Sequence, residues 1–187
     1  PDNKLQHEAT KQIAFAYRES GQLSRAAGEY ERIASESEDP TLRGEALLVA
    51  GDLYQESNSR DRALDAYTRY VNEFSQPVEM ALETRNKIAE IHKTAHDEEL
   101  YHKELTDIVR IDAEAGTGRT ARTRTLAARS ALVLAEQRYR EFTAVKLLQP
   151  FEASLQDKKQ RMDLTIEAMD RMVEYGIPDV TAAATFY

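Results

Sequence analysis

The stretch ATKQIAFAYRESGQLSRAAGEYERIASESEDP, residues 9–40, is matched by ALLVAGDLYQESNSRDRALDAYTRYVNEFSQP, residues 46–77, at a spacing of 37 residues. A fixed repeat of roughly 20–50 residues is typical of a solenoid, in which each repeat is one small structural unit. The matched pairs that govern packing are Tyr17 and Tyr54, Ala26 and Ala63, Tyr30 and Tyr67, and Pro40 and Pro77.

Each repeat reads as two helices joined by a short turn. In the first repeat, apolar residues recur at helical spacing up to Tyr17, the pair Ser20-Gly21 interrupts them, and a second apolar stripe follows from Ala26. Pro40 ends the repeat, because proline begins a helix more readily than it continues one. Small residues are expected to let the paired helices approach closely, and tyrosines are expected to fill the core beside them. These residues are Ala14, Gly51, Ala26 and Ala63, and Tyr17, Tyr30, Tyr54 and Tyr67.

This pattern resembles the tetratricopeptide repeat (TPR) family, whose signature runs from a large residue through Leu-Gly and Tyr to Ala, an aromatic residue and Pro. The second repeat matches it with Leu47, Ala50-Gly51, Tyr54, Ala63, Tyr67 and Pro77. The first matches it with Thr10, Ile13-Ala14, Tyr17, Ala26, Tyr30 and Pro40. The resemblance implies an all-α, right-handed α-solenoid of antiparallel helical hairpins, with a divergent second half.

The chain is predicted to hold three TPR-like hairpins over 5–114, a turn or hinge at 115–118, and divergent TPR-like helices over 119–187. Asp97 is the expected N-cap of the second helix of the third hairpin. Gly176 is expected to cap a long helix, and Pro178 to begin the next. Helices are predicted at 5–19, 22–37, 41–56, 60–74, 78–94, 119–136, 138–148, 151–175 and 179–187.

Composition narrows the class of protein. Glycine (7) and proline (5) are scarce and no β-strand pattern occurs, so helix is expected throughout. No apolar run is long enough to span a membrane, and the net charge of −8 argues against general nucleic-acid binding. Cysteine is absent, which excludes disulfides and thiolate metal sites. The chain begins without methionine and ends in a helical pattern, so we expect a piece of a longer protein.

The resemblance implies a partner-binding surface, because the first helix of each TPR hairpin lines the concave face of the solenoid. An exposed apolar anchor among polar residues suits the capture of a peptide. The alternative is that Phe15 and Leu48 pack within the repeats. We expect partner contacts at Lys11, Phe15, Arg18, Leu48, Asp52, Gln55, Arg85 and His92. The same face includes Glu8, Glu45, Leu82 and Ala89. Only Lys11 fits the carboxylate clamp by which some relatives hold chaperone tails, so that ligand is rejected.

A second candidate surface is an arginine cluster. Residues 119–140 contain six arginines and one glutamate, although the whole chain is acidic. Arg119, Arg122 and Arg129 are candidates for binding an acidic partner or a phosphate. The favoured alternative is a solvated helix face that pairs with the acidic remainder of the protein.

None of the remaining motifs indicates a phosphate-binding, metal-binding or catalytic site. Residues 116–120 resemble a phosphate-binding loop but lack its lysine and its spacing. His92, His96 and His102 lack the HExxH motif, and the 37-residue alignment places His96 in a turn, opposite Ser59 and Gln22. No nucleophile–base arrangement emerges. We therefore expect no metal, no cofactor and no catalytic residues.

The sequence thus predicts a non-catalytic scaffold that holds a partner protein or peptide. Two alternatives remain open: a self-association module that forms a homo-oligomer, and a regulatory repeat domain of a larger enzyme. The resemblance implies a bacterial multi-repeat protein. The segment from Ala63 to Pro77 is similar to repeats of envelope-assembly proteins, which points to the periplasm or cell envelope, with the cytoplasm as the alternative.

Overall fold

The computed structural model describes the backbone of residues 2–186 and the side chains of residues 8–186. Within these residues the chain is all-α, without a β-strand. Its helices are α1 Asp2–Glu19, α2 Leu23–Glu36, α3 Pro40–Glu56, α4 Arg60–Glu73, α5 Val78–Thr94, α6 Glu98–Glu114, α7 Ala121–Ala144, α8 Phe151–Val173 and α9 Pro178–Phe186, with a 3₁₀ turn at Gly116–Gly118 between α6 and α7.

Most helix bounds predicted from the sequence agree with these within a few residues, and 78–94 agrees at both ends. One prediction is wrong. The helices expected at 119–136 and 138–148 form the single helix α7, Ala121–Ala144. The segment around Arg138 contains neither glycine nor proline, so nothing in it interrupts the helix. At the start of α7, Thr120 and Thr123 form a reciprocal capping box.

The chain forms two compact units, residues 1–97 and 98–187. In unit 1 each helix from α1 to α5 packs on the next one along the chain. In unit 2 the helices α6 to α9 also pack in order, and α7 contacts α9 as well. The division falls between α5 and α6, and the glycine-containing segment 115–118 lies inside unit 2. The right-handed solenoid and the limits of the predicted repeats stay predictions.

The core of unit 1 is built from alanines and tyrosines. Ala26, Ala63, Tyr54 and Tyr67 are fully buried, as the repeat predicts. Tyr17 and its neighbour Tyr30 are partly buried against the same cluster. The main contact of α1 is with α2, whereas α3 packs on both α2 and α4, so the first repeat is covered less completely than the second.

Gly51 on α3 is a special case of the predicted close approach. A Cβ atom at this position would overlap the ring carbons of Tyr67. The missing side chain therefore makes room for an aromatic ring, rather than only for a neighbouring backbone.

Side-chain contacts at the helix ends repeat with the sequence. In both repeats a serine hydroxyl donates to a tyrosine carbonyl at 3.0 Å. In both repeats an arginine also lies over the ring of that tyrosine, at 5.9 and 5.5 Å. The contacts are Ser20 and Arg25 with Tyr17, and Ser57 and Arg62 with Tyr54. The period of 37 residues is thus a period of structure as well as of sequence.

The turn after each first helix contains one residue with positive φ: Gly21 (72°), Asn58 (58°) and His96 (59°). His96 thus occupies the place of Asn58, one position earlier in the turn than the 37-residue alignment predicts. The offset has a simple origin, because α5 begins at Val78, 38 residues after α3 begins at Pro40.

Candidate partner-binding surfaces

The predicted binding residues of α1 lie on one exposed stripe. Lys11, Phe15 and Arg18 are all exposed, and Phe15 keeps 60% of its accessible surface. The side of the helix that packs on α2 lies next to this stripe and includes the buried residues Thr10 and Ala14. An aromatic ring between two cations is an apolar anchor with a polar rim, the arrangement that favours a protein contact.

Asp52 and Gln55, two predicted partner contacts on α3, lie against the hydroxyl of a buried tyrosine in the protein's own core. The Tyr67 hydroxyl donates to Asp52 Oδ1 at 2.5 Å and also lies 3.0 Å from Gln55 Oε1. Lys87 on α5 pairs with the same Asp52 oxygen at 2.5 Å and lies 5.2 Å from the centre of the Tyr67 ring. Burial, together with the hydrogen bond to Asp52, raises the pKa of Tyr67 well above its usual range, so its phenol stays a donor.

Tyr54, on the first helix of the same repeat, is also held by a carboxylate. Its hydroxyl donates to Glu31 Oε2 at 2.6 Å. Burial, followed by the interactions with Glu31, raises the pKa of Tyr54 to about 12, although Arg62 acts in the opposite direction. Both buried phenols are thus satisfied by carboxylates at the surface of the core.

The predicted residues of α5 are less accessible. Arg85 and His92 are each half-buried. Leu82 and Ala89, which the resemblance places on the same binding face, are fully buried and belong to the core. Those two expectations are wrong, because Leu82 and Ala89 lie on the buried side of α5 with Ile88.

Leu48, the remaining predicted residue, lines a cavity that the sequence did not predict. Gly44, Glu45 and Leu48 of α3 border this cavity, which we call the Gly44 pocket and which has a volume of about 310 Å³. The other walls are formed by Tyr70 and Phe74 near the end of α4 and by Met80 near the start of α5. A glycine near the start of a predicted helix was the sequence signal that could have indicated it.

The arginine cluster does not form a uniform surface. Arg119 Nε donates to Asp112 Oδ2 at 2.9 Å, and the Asp112 side chain is fully buried. Arg119 also lies 5.6 Å from the centre of the Tyr175 ring. Arg122 and Arg129 are exposed on α7. Arg119 therefore compensates a buried charge within unit 2, and anion binding by all three arginines stays a prediction.

The histidines are dispersed. His102 Nε2 lies 3.8 Å from Glu98 Oε2, while His96 is exposed in its turn. Across the side chains described here, no three His, Cys, Asp or Glu residues converge on one point. In the same part of the chain, every helix is too short or too polar to cross a membrane.

Comparison of this chain with protein-family models, with curated proteins and with solved structures finds no match in any of the three. Membership of the TPR family thus remains an expectation from the repeat pattern. Function has to be inferred from the surfaces themselves.

Proposed function

We propose that this chain is a non-catalytic scaffold that binds a partner protein or peptide through the exposed side of the first helices of its hairpins. The observation that supports this most directly is Phe15, an aromatic side chain that is 60% exposed between Lys11 and Arg18. Leaving such a ring in water is unfavourable, and a partner that covers it gains apolar burial.

The packing of α3, the first helix of the second hairpin, favours a preorganised receptor. The hydroxyl of Tyr54 is tied to Glu31 and that of Tyr67 to Asp52, which links neighbouring helices of unit 1. A surface held by such contacts needs little ordering when a partner binds. The proposed compartment is the periplasm or cell envelope, as the resemblance implies.

Affinity capture tests the proposal. The chain is immobilised beside a variant with Lys11→Glu and Phe15→Ser, and envelope and cytosolic extracts are passed over both. We expect a protein that the native chain retains and the variant loses. A control with Arg60→Glu and Asn72→Ser reverses one exposed charge and introduces one exposed serine on α4, away from α1, and should retain it. Equal retention by all three proteins would refute the proposed surface.

One observation favours self-association as a second candidate function. Phe151, Leu155, Met162, Ile166 and Val173 lie along one side of α8 at helical spacing, and each is 38% exposed or more. Such a stripe is a candidate contact between copies of the chain.

Sedimentation velocity over a range of protein concentrations tests this candidate. If α8 mediates self-association, the mass should rise with concentration, and Leu155→Glu with Ile166→Glu should abolish the rise. Gln156→Glu, on an exposed position of the same helix, serves as the control. A constant monomer mass would exclude this candidate and leave the scaffold proposal untouched.

A further inference from the structure

The Gly44 pocket combines an apolar wall with open access. Leu48 and Phe74 are half-buried, and Met80 is 40% exposed, so the pocket exposes apolar surface to water. Tyr70 and Phe74 form an aromatic side, with ring centres 5.3 Å apart. At about 310 Å³ the cavity lies at the lower end of ligand sites, which run from roughly 300 to 1,000 Å³. It thus suits one or two side chains rather than a large cofactor.

Gly44 forms part of the wall because it has no side chain. A Cβ atom built on it would lie 3.4 Å from Tyr70 Cε2 and 3.6 Å from Phe74 Cδ2. These distances are ordinary van der Waals contacts, so the helix packing does not require glycine here. The absence of a methyl group instead enlarges the pocket, in contrast to the absolute steric need at Gly51.

The charged residue at the pocket indicates which ligand charge would bind there. Glu45 is the single charged residue among the described residues that line it. It is exposed and has neither an ion pair nor a side-chain hydrogen bond within the described structure. The nearby cation Arg43 is already compensated, because it pairs with Glu73 and lies 5.9 Å from the centre of the Phe74 ring.

The dipoles of the helix ends around the pocket do not counteract the negative charge of Glu45. The N-terminus of α3 is capped by the Asp39 carboxylate, which accepts from Thr41 N at 2.9 Å, and Glu79 lies in the first turn of α5. Both acids offset the positive ends of the helix dipoles. The C-terminal end of α4, near Phe74, adds partial negative charge.

We propose that the Gly44 pocket binds an apolar side chain of a partner peptide that carries lysine or arginine beside it, with Glu45 pairing with that cation. This inference rests on the proposed function and names a binding pocket and the chemistry of its ligand. The apolar side chain covers Leu48, Phe74 and Met80, and the cation supplies the selectivity.

Methyl-labelled protein and short capped peptides test the proposal by NMR. The probes are Ac-Gly-Lys-Phe-Lys-Gly-NH₂, the same peptide with Glu in place of Lys, and the same peptide with Ser in place of Phe. We expect the Lys-Phe-Lys peptide to shift the methyl signals of Leu48 and Met80 saturably below about 5 mM, the range expected for so small a contact. The Glu-Phe-Glu peptide should bind about three- to tenfold more weakly, and the serine peptide should produce no saturable shift.

Two substitutions separate the apolar and the ionic contributions. Gly44→Ala places a methyl group against the aromatic wall and should weaken the Lys-Phe-Lys peptide at least about threefold. Glu45→Gln should remove the preference for lysine over glutamate and keep the need for phenylalanine. Glu56→Gln, an exposed carboxylate on the same helix, is the matched control and should change neither.

The pocket and the scaffold function fail in different ways. An absent shift, or equal affinity for the phenylalanine and serine peptides, would overturn the pocket proposal. Partner capture that depends on Lys11 and Phe15 would then still stand. Peptide binding at Leu48 and Met80 without any captured protein would instead uphold the pocket and refute the surface on α1.

Discussion

Two glycines on α3 differ in how closely the neighbouring aromatic rings pack against them. Gly44 and Gly51 are both buried and both helical, so helix propensity treats them alike. Their surroundings differ, because a Cβ at Gly51 would overlap Tyr67 whereas one at Gly44 would only touch Tyr70 and Phe74.

Gly51→Ala should lower the free energy of unfolding by about 1–3 kcal/mol through overpacking, despite the gain in helix propensity. Gly44→Ala should leave it unchanged or raise it by up to about 1 kcal/mol, because alanine restricts the unfolded chain. Urea unfolding of both variants measures the difference. Equal effects of the two substitutions would show that the Tyr67 ring does not need the space at Gly51.

Tyr54 links stability to alkaline pH. The pKa of Tyr54 is about 12 in the folded protein and about 10 in the unfolded chain, so the phenol is protonated in both states below pH 10. Above that pH the unfolded state loses its proton first, and the stabilisation is lost as the pH rises towards and through 12.

Tyr54→Phe should therefore flatten the decline of unfolding free energy between pH 10 and 12, as followed by urea unfolding at stepped pH. Tyr30→Phe controls for the loss of a phenol, since the Tyr30 hydroxyl makes no hydrogen bond in the described structure. If native and Tyr54→Phe proteins decline in parallel, the pKa of Tyr54 is not raised in the folded protein.

At the scale of the elements, the turn between α5 and α6 differs from the turn between α1 and α2 in the residue at its positive-φ position. A non-glycine residue in the left-handed region is strained by roughly 1–2 kcal/mol, and His96 adopts φ 59° where the first repeat uses Gly21. His96→Gly should therefore raise the melting temperature, whereas His96→Val should lower it. A decrease with glycine would mean that the His96 side chain makes a stabilising contact that outweighs the strain.

Packing between helices of unit 1 can be tested at Ala63 on α4. This residue is fully buried in the alanine–tyrosine core, and leucine would need space that the neighbouring helices occupy. Ala63→Leu should cost about 1–3 kcal/mol in chemical unfolding. Leucine at Asp65, an exposed position on the same helix, should change stability by less than about 0.5 kcal/mol. An unchanged midpoint for Ala63→Leu would contradict the close packing of the repeat.

At the scale of the whole molecule, unit 2 has its own polar anchor. Asp112 is fully buried, its Oδ1 has no hydrogen-bond partner within the described residues, and Arg119 contacts its other oxygen. Removing the cation would leave a buried carboxylate uncompensated.

Arg119→Met should cost roughly 1–3 kcal/mol, less than at a fully buried pair because Arg119 is 41% exposed. Hydrogen exchange should show the loss of protection within residues 98–187 and little change within 1–97. Arg129→Met, on the exposed side of α7, is the control. Equal loss of protection in both units would mean that they unfold as one.

Local patterns in the sequence are sufficient to predict the helical class, most helix bounds and the tyrosine core of unit 1. Each of these follows from local periodicity, from proline and glycine positions, and from the 37-residue repeat. The same pattern could not reveal that Asp52 and Gln55 hold Tyr67, or that Leu82 is buried, because such roles depend on which helix lies opposite.

The residues that form the Gly44 pocket and the Asp112–Arg119 pair come together only when the helices pack. The Gly44 pocket brings together residues from Pro40 on α3 to Met80 on α5, and Arg119 meets Asp112 only because the chain reverses between α6 and α7. Because one extra residue precedes α5, His96 lies at the positive-φ position of its turn. Repetition in the sequence specifies which helices form, whereas the space between them, which decides what a side chain contacts, arises only when they pack.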